Sequence, residues 1–221
     1  MRALLRFPGT LLLASTWLLG MRAPAEDGPG ERPTKSITAV TPIFGQLVAI
    51  AYPPHFKGVF QRTRIDFYIQ ESVLDGETVD HWSQMITLTG KQGAALNAQG
   101  SPEALVLNMA GGFQRACPTT FSIVELGSRK VDGYDAFEAI SSCGSVAGGA
   151  GPHSETAIIL AIKGAEDFYT IQWAERGPAS ERPLALDRNE WVSRFTQLEP
   201  VRICARIVGE LPPYLSCVGR K

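Results

Sequence analysis

The densest group of side chains that could do chemistry is an acidic and aromatic cluster in residues 75–82. It contains Asp75, Glu77, Asp80, His81 and Trp82. General base catalysis needs a proton acceptor that titrates near neutral pH and a second group that orients it, and His81 with Asp80 or Glu77 supplies those residue types. Acids at the start of a short helix would equally complement the helix dipole, with Trp82 anchoring that helix to a sheet. We expect the structural role, because no nucleophile or metal partner lies nearby in sequence.

Other signatures of catalysis or metal binding are absent from the sequence. There is no Gly-x-Ser-x-Gly elbow, Ser-x-x-Lys, phosphate loop, His-Glu-x-x-His, calcium loop or Cys-x-x-Cys. The glycine-rich stretch from Gly148 to Gly151 lacks the dinucleotide-binding context and indicates a loop. The histidines His55, His81 and His153 are scattered, and none stands at ligand spacing from a cysteine. We therefore predict no catalytic residue, no metal site and no cofactor.

A second polar and aromatic group, Trp173, Glu175 and Arg176, follows a run of alternating residues. Trp173 continues the apolar face of Tyr169 and Ile171, and we expect Glu175 and Arg176 to enter solvent.

The first 25 residues have the three-part pattern of a secretory signal peptide. Arg2 and Arg6 precede an apolar stretch from Leu11 to Gly20, and Ala23-Pro24-Ala25 is a small-x-small cleavage site. The apolar stretch is shorter than the roughly 20 residues that span a bilayer, so cleavage is expected and a retained signal anchor is the alternative. The predicted organisation is a signal peptide (1–25), a flexible leader (26–36) and a single globular domain (37–221).

Cleavage would remove Arg2, Arg6 and Arg22 and no acidic residue, which changes the formal net charge from −1 to −4. Nucleic acids and anionic membranes attract clustered cationic surfaces, and the sequence has no dense run of lysine or arginine. We therefore expect no nucleic-acid partner and no membrane span, and a periplasmic or secreted location.

The four cysteines, Cys117, Cys143, Cys204 and Cys217, all follow the signal, and an even number in an exported chain indicates disulfides. Three connectivities are possible, and we favour Cys117 with Cys143 and Cys204 with Cys217. Strand-like runs at Phe121 to Leu126 and Tyr134 to Ser142 would form a hairpin centred near Lys130. The first pair would then face each other just beyond the open end of that hairpin.

The rest of the chain is dominated by strand patterns. Alternation or apolar runs predict strands at Ile37 to Ile43, Leu47 to Tyr52, Ile65 to Gln70, Met85 to Thr89, Ala157 to Ile162, Phe168 to Glu175 and Val201 to Cys204. In the third of these, Ile65, Phe67 and Ile69 share the expected buried face. The apolar run Ala157 to Ile162 is typical of a central strand covered on both faces, and the turn at Gly164 to Asp167 makes it a second hairpin with Phe168 to Glu175. A short helical segment is expected around Thr78 to Ser83.

Two longer helices carry clear start signals. Ser101-Pro102-Glu103 caps a helix that runs to about Ala116, with Leu105, Met109 and Phe113 in its inward stripe. Asp187 to Glu190 forms a capping box for a last helix through Leu198, with Trp191, Phe195 and Leu198 in its inward stripe. Hairpins joined by local turns and two main helices predict an α+β fold, a mostly antiparallel sheet packed against those helices.

Several segments resemble a family of exported Gram-negative bacterial proteins of unknown function. They are residues 76–87 (GETVDHWSQMIT), 110–118 (AGGFQRACP), 131–136 (VDGYDA), 161–164 (AIKG) and 169–176 (YTIQWAER). More distantly, the order of elements is similar to the Mog1/PsbP-like α/β/α sandwich. The resemblance implies that the chain is exported and that nearly all of the mature chain forms a domain of this family. It implies no activity.

We therefore expect a soluble, disulfide-stabilised binding or accessory module whose partner is an unknown protein or small ligand of the cell envelope. The alternative is a hydrolase-like enzyme that uses His81 with Asp80 or Glu77, which requires a carboxylate within hydrogen-bond reach of the ring at the rim of a pocket. A factor that binds a partner protein would instead expose an apolar patch.

Overall fold

The computed structural model describes residues 36–146 and 151–219. The predicted signal peptide, nearly all of the predicted leader and residues 147–150 of the predicted glycine-rich loop lie outside the described residues. The strands are β1 (Ile37–Ile43), β2 (Gln46–Tyr52), β3 (Phe56–Arg64), β4 (Phe67–Leu74), β5 (Gln84–Lys91), β6 (Phe121–Val131), β7 (Tyr134–Val146), β8 (His153–Lys163), β9 (Phe168–Pro178) and β10 (Arg202–Ala205). The helices are α1 (Pro102–Ala116), α2 (Arg188–Thr196) and α3 (Leu215–Val218), with a 3₁₀ turn at Ala94–Leu96.

Seven strands form one antiparallel sheet in the order β3-β4-β5-β9-β8-β7-β6. The predicted hairpins β6/β7 and β8/β9 are present, and β8 lies inside the sheet between β7 and β9. Ile158 and Leu160 of β8 belong to one core and Ile159 and Ala161 to the other. The central strand covered on both faces is therefore confirmed.

A second, three-stranded antiparallel sheet of order β1-β2-β10 packs against one face of the large sheet. Helix α2 completes this layer. The residues of its predicted inward stripe, Trp191, Phe195 and Leu198, are all buried in the same core, although the helix ends at Thr196 and Leu198 lies just beyond it. The α+β assignment and the mostly antiparallel sheet are confirmed. The sequence predicts one sheet covered by two main helices. The fold has more strands than that, because the three-stranded sheet covers much of one face of the large sheet.

Helix α1 packs on the opposite face of the large sheet, over β6, β7 and β8. Its predicted start is confirmed, since Ser101 Oγ accepts a hydrogen bond from the backbone N–H of Ala104 at 3.0 Å. Its fully buried side chains are Pro102, Val106 and Ala110. The predicted inward stripe of Leu105, Met109 and Phe113 is only half-buried and lies at the side of the helix that faces β9 and β5.

Both favoured disulfides are present. Cys117 and Cys143 have Cα atoms 5.7 Å apart and join the end of α1 to β7, and Cys204 and Cys217 have Cα atoms 5.6 Å apart and join β10 to α3. The hairpin turns at Asp132 and Gly133, slightly later than the expected centre near Lys130.

The predicted strand at Ile65 to Gln70 is wrong in its start and in its buried face. Ile65 lies in the β3–β4 turn with positive φ and is 88% exposed, while Tyr68 is the residue that enters the core. Phe67 and Ile69 point to the face that carries α1. The sequence does not predict strand β3. An exposed edge strand has no buried face, so its apolar and polar residues do not alternate.

A buried carboxylate connects the two sheets. Asp167, 2% exposed, accepts hydrogen bonds from the N–H groups of Gly45 (3.1 Å) and Gly93 (2.8 Å) and from the hydroxyl of Tyr169 (3.1 Å). Gly45 lies in the β1–β2 turn, so this carboxylate fixes the small sheet over the start of β9.

Candidate functional site

Helix α1 covers only part of its face of the large sheet. Beside it, the same face of β4, β5 and β9 forms the floor of an open groove with a volume of about 710 Å³. Ligand sites in proteins are typically concave, mostly apolar and about 300–1,000 Å³ in volume, with a few placed polar groups. This space, called the α1 groove below, is the candidate site.

The floor of the α1 groove carries polar side chains in two cross-strand rows. The register places Glu71, Thr87 and Gln172 side by side on β4, β5 and β9. In the next row, Thr89 and Thr170 stand opposite each other, and their hydroxyl oxygens are 2.6 Å apart. These groups offer hydrogen bonds in the middle of the groove.

The walls of the groove are apolar. Leu105, Met109 and Phe113 of α1 form one wall, and Phe67 and Ile69 of β4 line the opposite side. Phe67 is 40% exposed, and the three α1 side chains are half-buried. An occupant would therefore remove apolar surface from water, which contributes roughly 25 cal/mol per Å².

One end of the groove is closed by a stack of Trp82 and Arg176. The guanidinium carbon of Arg176 lies 3.7 Å from the Trp82 ring centroid, and its Nε donates to Glu155 Oε2 at 3.1 Å. A guanidinium held on an aromatic face and by a carboxylate is well fixed. The expectation that Arg176 enters solvent is therefore wrong.

The remaining members of that second group behave differently. Trp173 lies in the core on the other face of the sheet, as predicted, and its Nε1 donates to Gln84 Oε1 at 3.0 Å. Glu175 forms an ion pair with Arg194 of α2.

Glu71 is the charged member of the polar row that it forms with Thr87 and Gln172. Its side chain is half-buried, and burial raises the pKa of its carboxyl above the usual value. Within residues 36–146 and 151–219, no cation lies within ion-pair distance of it. The fold thus holds an uncompensated carboxylate against apolar walls, an arrangement that costs stability.

The predicted cluster around His81 lies just outside the groove. Residues 78–83 form bends rather than the expected short helix, because His81 N–H bonds back to Thr78 Oγ1 at 3.2 Å and Ser83 Oγ bonds to Glu77 at 2.5 Å. Asp80 and His81 are exposed. Within the described part of the chain, no carboxylate is hydrogen-bonded to the His81 ring.

These side chains nevertheless share a shallow hollow. Glu77, Asp80 and His81 line it together with His153 and Arg176, and its volume is about 380 Å³. The structure therefore brings the three residues of the hydrolase alternative together without the oriented ring that such catalysis needs.

Asp75 takes no part in that hollow. It pairs with Lys57 at 2.8 Å and with His55 at 3.2 Å on the surface between β3 and β4, and these hydrogen bonds, first that of Lys57, lower the pKa of its carboxyl. The described part of the chain offers no group of three or more His, Cys, Asp or Glu side chains placed to hold a metal ion. It also has no helix long and apolar enough to cross a membrane.

Comparison with known proteins gives a distant likeness in fold. The chain is similar to the solution structure of cyanobacterial PsbP (CyanoP) from Synechocystis sp. PCC 6803. The two are 9% identical, the match covers 79% of this chain and 93% of that chain, and the TM-score is 0.42. A likeness at this level carries no conclusion about the family or the activity of the chain. No family model and no curated protein matches the chain.

Sequence reasoning missed the groove itself. The available signal lies in β5 and β9, two interior strands that carry Thr87, Thr89, Thr170 and Gln172 at alternate positions. The part of an interior strand that is covered on both faces is a continuous apolar run, as residues 157–162 of β8 are, so polar alternation in such a strand indicates an uncovered face.

Proposed function

We propose that this chain is an exported binding or accessory module of the bacterial cell envelope that holds an elongated, mainly apolar ligand in the α1 groove. The observation that carries the proposal is the groove itself, in which apolar walls enclose a floor of hydroxyl, amide and carboxylate groups. The two disulfides support an oxidising compartment, and the resemblance to exported Gram-negative proteins supports the same address.

A steric block of the floor tests the groove. We expect N-phenyl-1-naphthylamine, a neutral apolar dye, to bind the wild-type protein with enhanced fluorescence. Thr87→Trp places an indole on the floor and is expected to weaken this binding by about tenfold or more, because the volume that the dye would occupy is filled. Fluorescence titration measures both affinities.

Thr63→Trp is the matched control. Thr63 is exposed on β3 and faces away from the groove, since it pairs with Tyr68, which enters the opposite core. This variant should bind the dye like the wild type. Equal binding by Thr87→Trp and wild type would contradict the proposed site.

The proposed export is tested on the protein purified from its native envelope. Intact-mass analysis without reduction is expected to give a mature chain that begins at Glu26 and carries two disulfides. A full-length chain with free thiols in the cytoplasm would contradict the proposed location.

A further inference from the structure

We propose that the ligand of the α1 groove carries a positively charged amine that is bound by Glu71. This inference rests on the proposed function, since it names the chemical class of the ligand for the same site.

The position of Glu71 is the first observation. It stands in the polar row with Thr87 and Gln172, at the β4 end of that row, two residues beyond Ile69 and across the floor from the α1 wall. A carboxylate accepts hydrogen bonds only, so a ligand group that satisfies it must donate.

The charge balance of the groove is the second observation. Its other charged lining residues are paired, because Lys91 forms an ion pair with Asp66 and Arg176 with Glu155. Glu71 is left as the uncompensated charge among the lining residues that the structure describes. Charge complementarity therefore favours a cation on the ligand.

The edge strand β3 carries a competing cation. Arg62 pairs with Ile69 in the register and lies on the same face of the sheet as Glu71, while the direct cross-strand partner of Glu71 is Phe60. Arg62 is exposed. In the described residues it forms no ion pair with Glu71, so the experiment includes an Arg62 variant.

The apolar walls define the rest of the ligand. Leu105, Met109 and Phe113 offer a surface suited to methylene chains or rings. The preferred occupant is thus an amphiphile with an apolar body and a primary or secondary amine, such as an alkylamine.

Three probes of equal chain length separate charge from apolar binding. Decylamine, decanol and decanoate are titrated below their critical micelle concentrations at pH 7, by displacement of N-phenyl-1-naphthylamine. We expect decylamine to bind at least about tenfold more tightly than decanoate, as a charge-assisted hydrogen bond allows. Glu71→Gln is expected to abolish this preference and to keep decanol binding.

The controls make the outcomes distinct. Glu71→Gln should remain folded, because it removes a poorly solvated charge, and thermal unfolding verifies this. Arg62→Gln should keep the amine preference, which excludes a general effect of surface charge. The amine inference is overturned, and the groove stands, in either of two cases. In the first, decanol binds but the wild type binds decylamine no more tightly than decanoate. In the second, Glu71→Gln still binds decylamine more tightly than decanoate. If none of the probes binds wild-type protein, the proposed function is overturned as well.

Discussion

Replacing Asp167 with alanine is expected to lower the free energy of unfolding by about 3–5 kcal/mol. The carboxylate accepts hydrogen bonds from Gly45, Gly93 and Tyr169, which belong to the β1–β2 turn, the 3₁₀ turn and β9. Alanine removes the acceptor of the partly buried Gly45 and Gly93 N–H groups and leaves the buried Tyr169 hydroxyl only its 3.3 Å bond to the Ile43 carbonyl. Each lost bond costs about 1–3 kcal/mol. Urea unfolding followed by tryptophan fluorescence measures the change.

Asp135→Ala is the control for this variant. Asp135 forms an exposed ion pair with Lys130 at the end of the β6/β7 hairpin, so its loss should change stability by less than about 0.5 kcal/mol. Asp167→Asn keeps one acceptor oxygen and should fall between alanine and wild type. A loss below about 1 kcal/mol for Asp167→Ala would contradict the role of this carboxylate in joining the two sheets.

The elements that sequence predicts well are those with local signals. Ser101 and Asp187 start α1 and α2 because their side chains cap backbone N–H groups only two or three residues away. The β8/β9 hairpin follows from short turns and alternation, and the first disulfide follows from the hairpin between Cys117 and Cys143. The caps and turns are each confined to a few neighbouring residues, and the hairpin extends such a local signal to the first disulfide.

The elements that sequence misses depend on tertiary packing. No local sequence pattern shows that β1, β2 and β10 form a separate sheet. That arrangement depends on contacts between residues distant in sequence, such as the hydrogen bond from Gly45 to Asp167. The face of β4 was inverted because both faces carry large side chains, and only the packed fold shows that Tyr68 enters the core.

The α1 groove is a consequence of how far one helix reaches across a sheet. The helical stripe of Leu105, Met109 and Phe113 predicts contact with a core, and the same stripe forms the wall of the groove when the helix sits over β7 and β8. Periodicity gives the apolar side of a helix but not the width of the surface that it covers. Glu71 could therefore not be selected from sequence.

Replacing Cys117 and Cys143 with serine is expected to lower the free energy of unfolding by about 3.5 kcal/mol, from the entropy of closing a loop with a separation of 26 residues. Reversible urea unfolding of the oxidised wild type and the variant measures the difference. The bridge also has a local consequence, because Cys117 ends α1 one turn after Phe113 and ties that end of the helix to β7. Without the bridge, the last turns of α1 should fray. Because Met109 and Phe113 belong to those turns and line the groove, the groove wall should then be disturbed.

The second bridge provides the comparison that separates these two effects. Cys204 and Cys217 close a loop with a separation of 13 residues, worth about 3 kcal/mol, and they pack against the outer side of the small sheet, away from α1. Both serine variants should therefore lose similar stability, while only Cys117→Ser/Cys143→Ser should lose affinity for N-phenyl-1-naphthylamine under conditions where both are folded. Equal affinities in the two variants would mean that packing of Val106 and Ala110 against the sheet holds the α1 wall in place without help from the bridge.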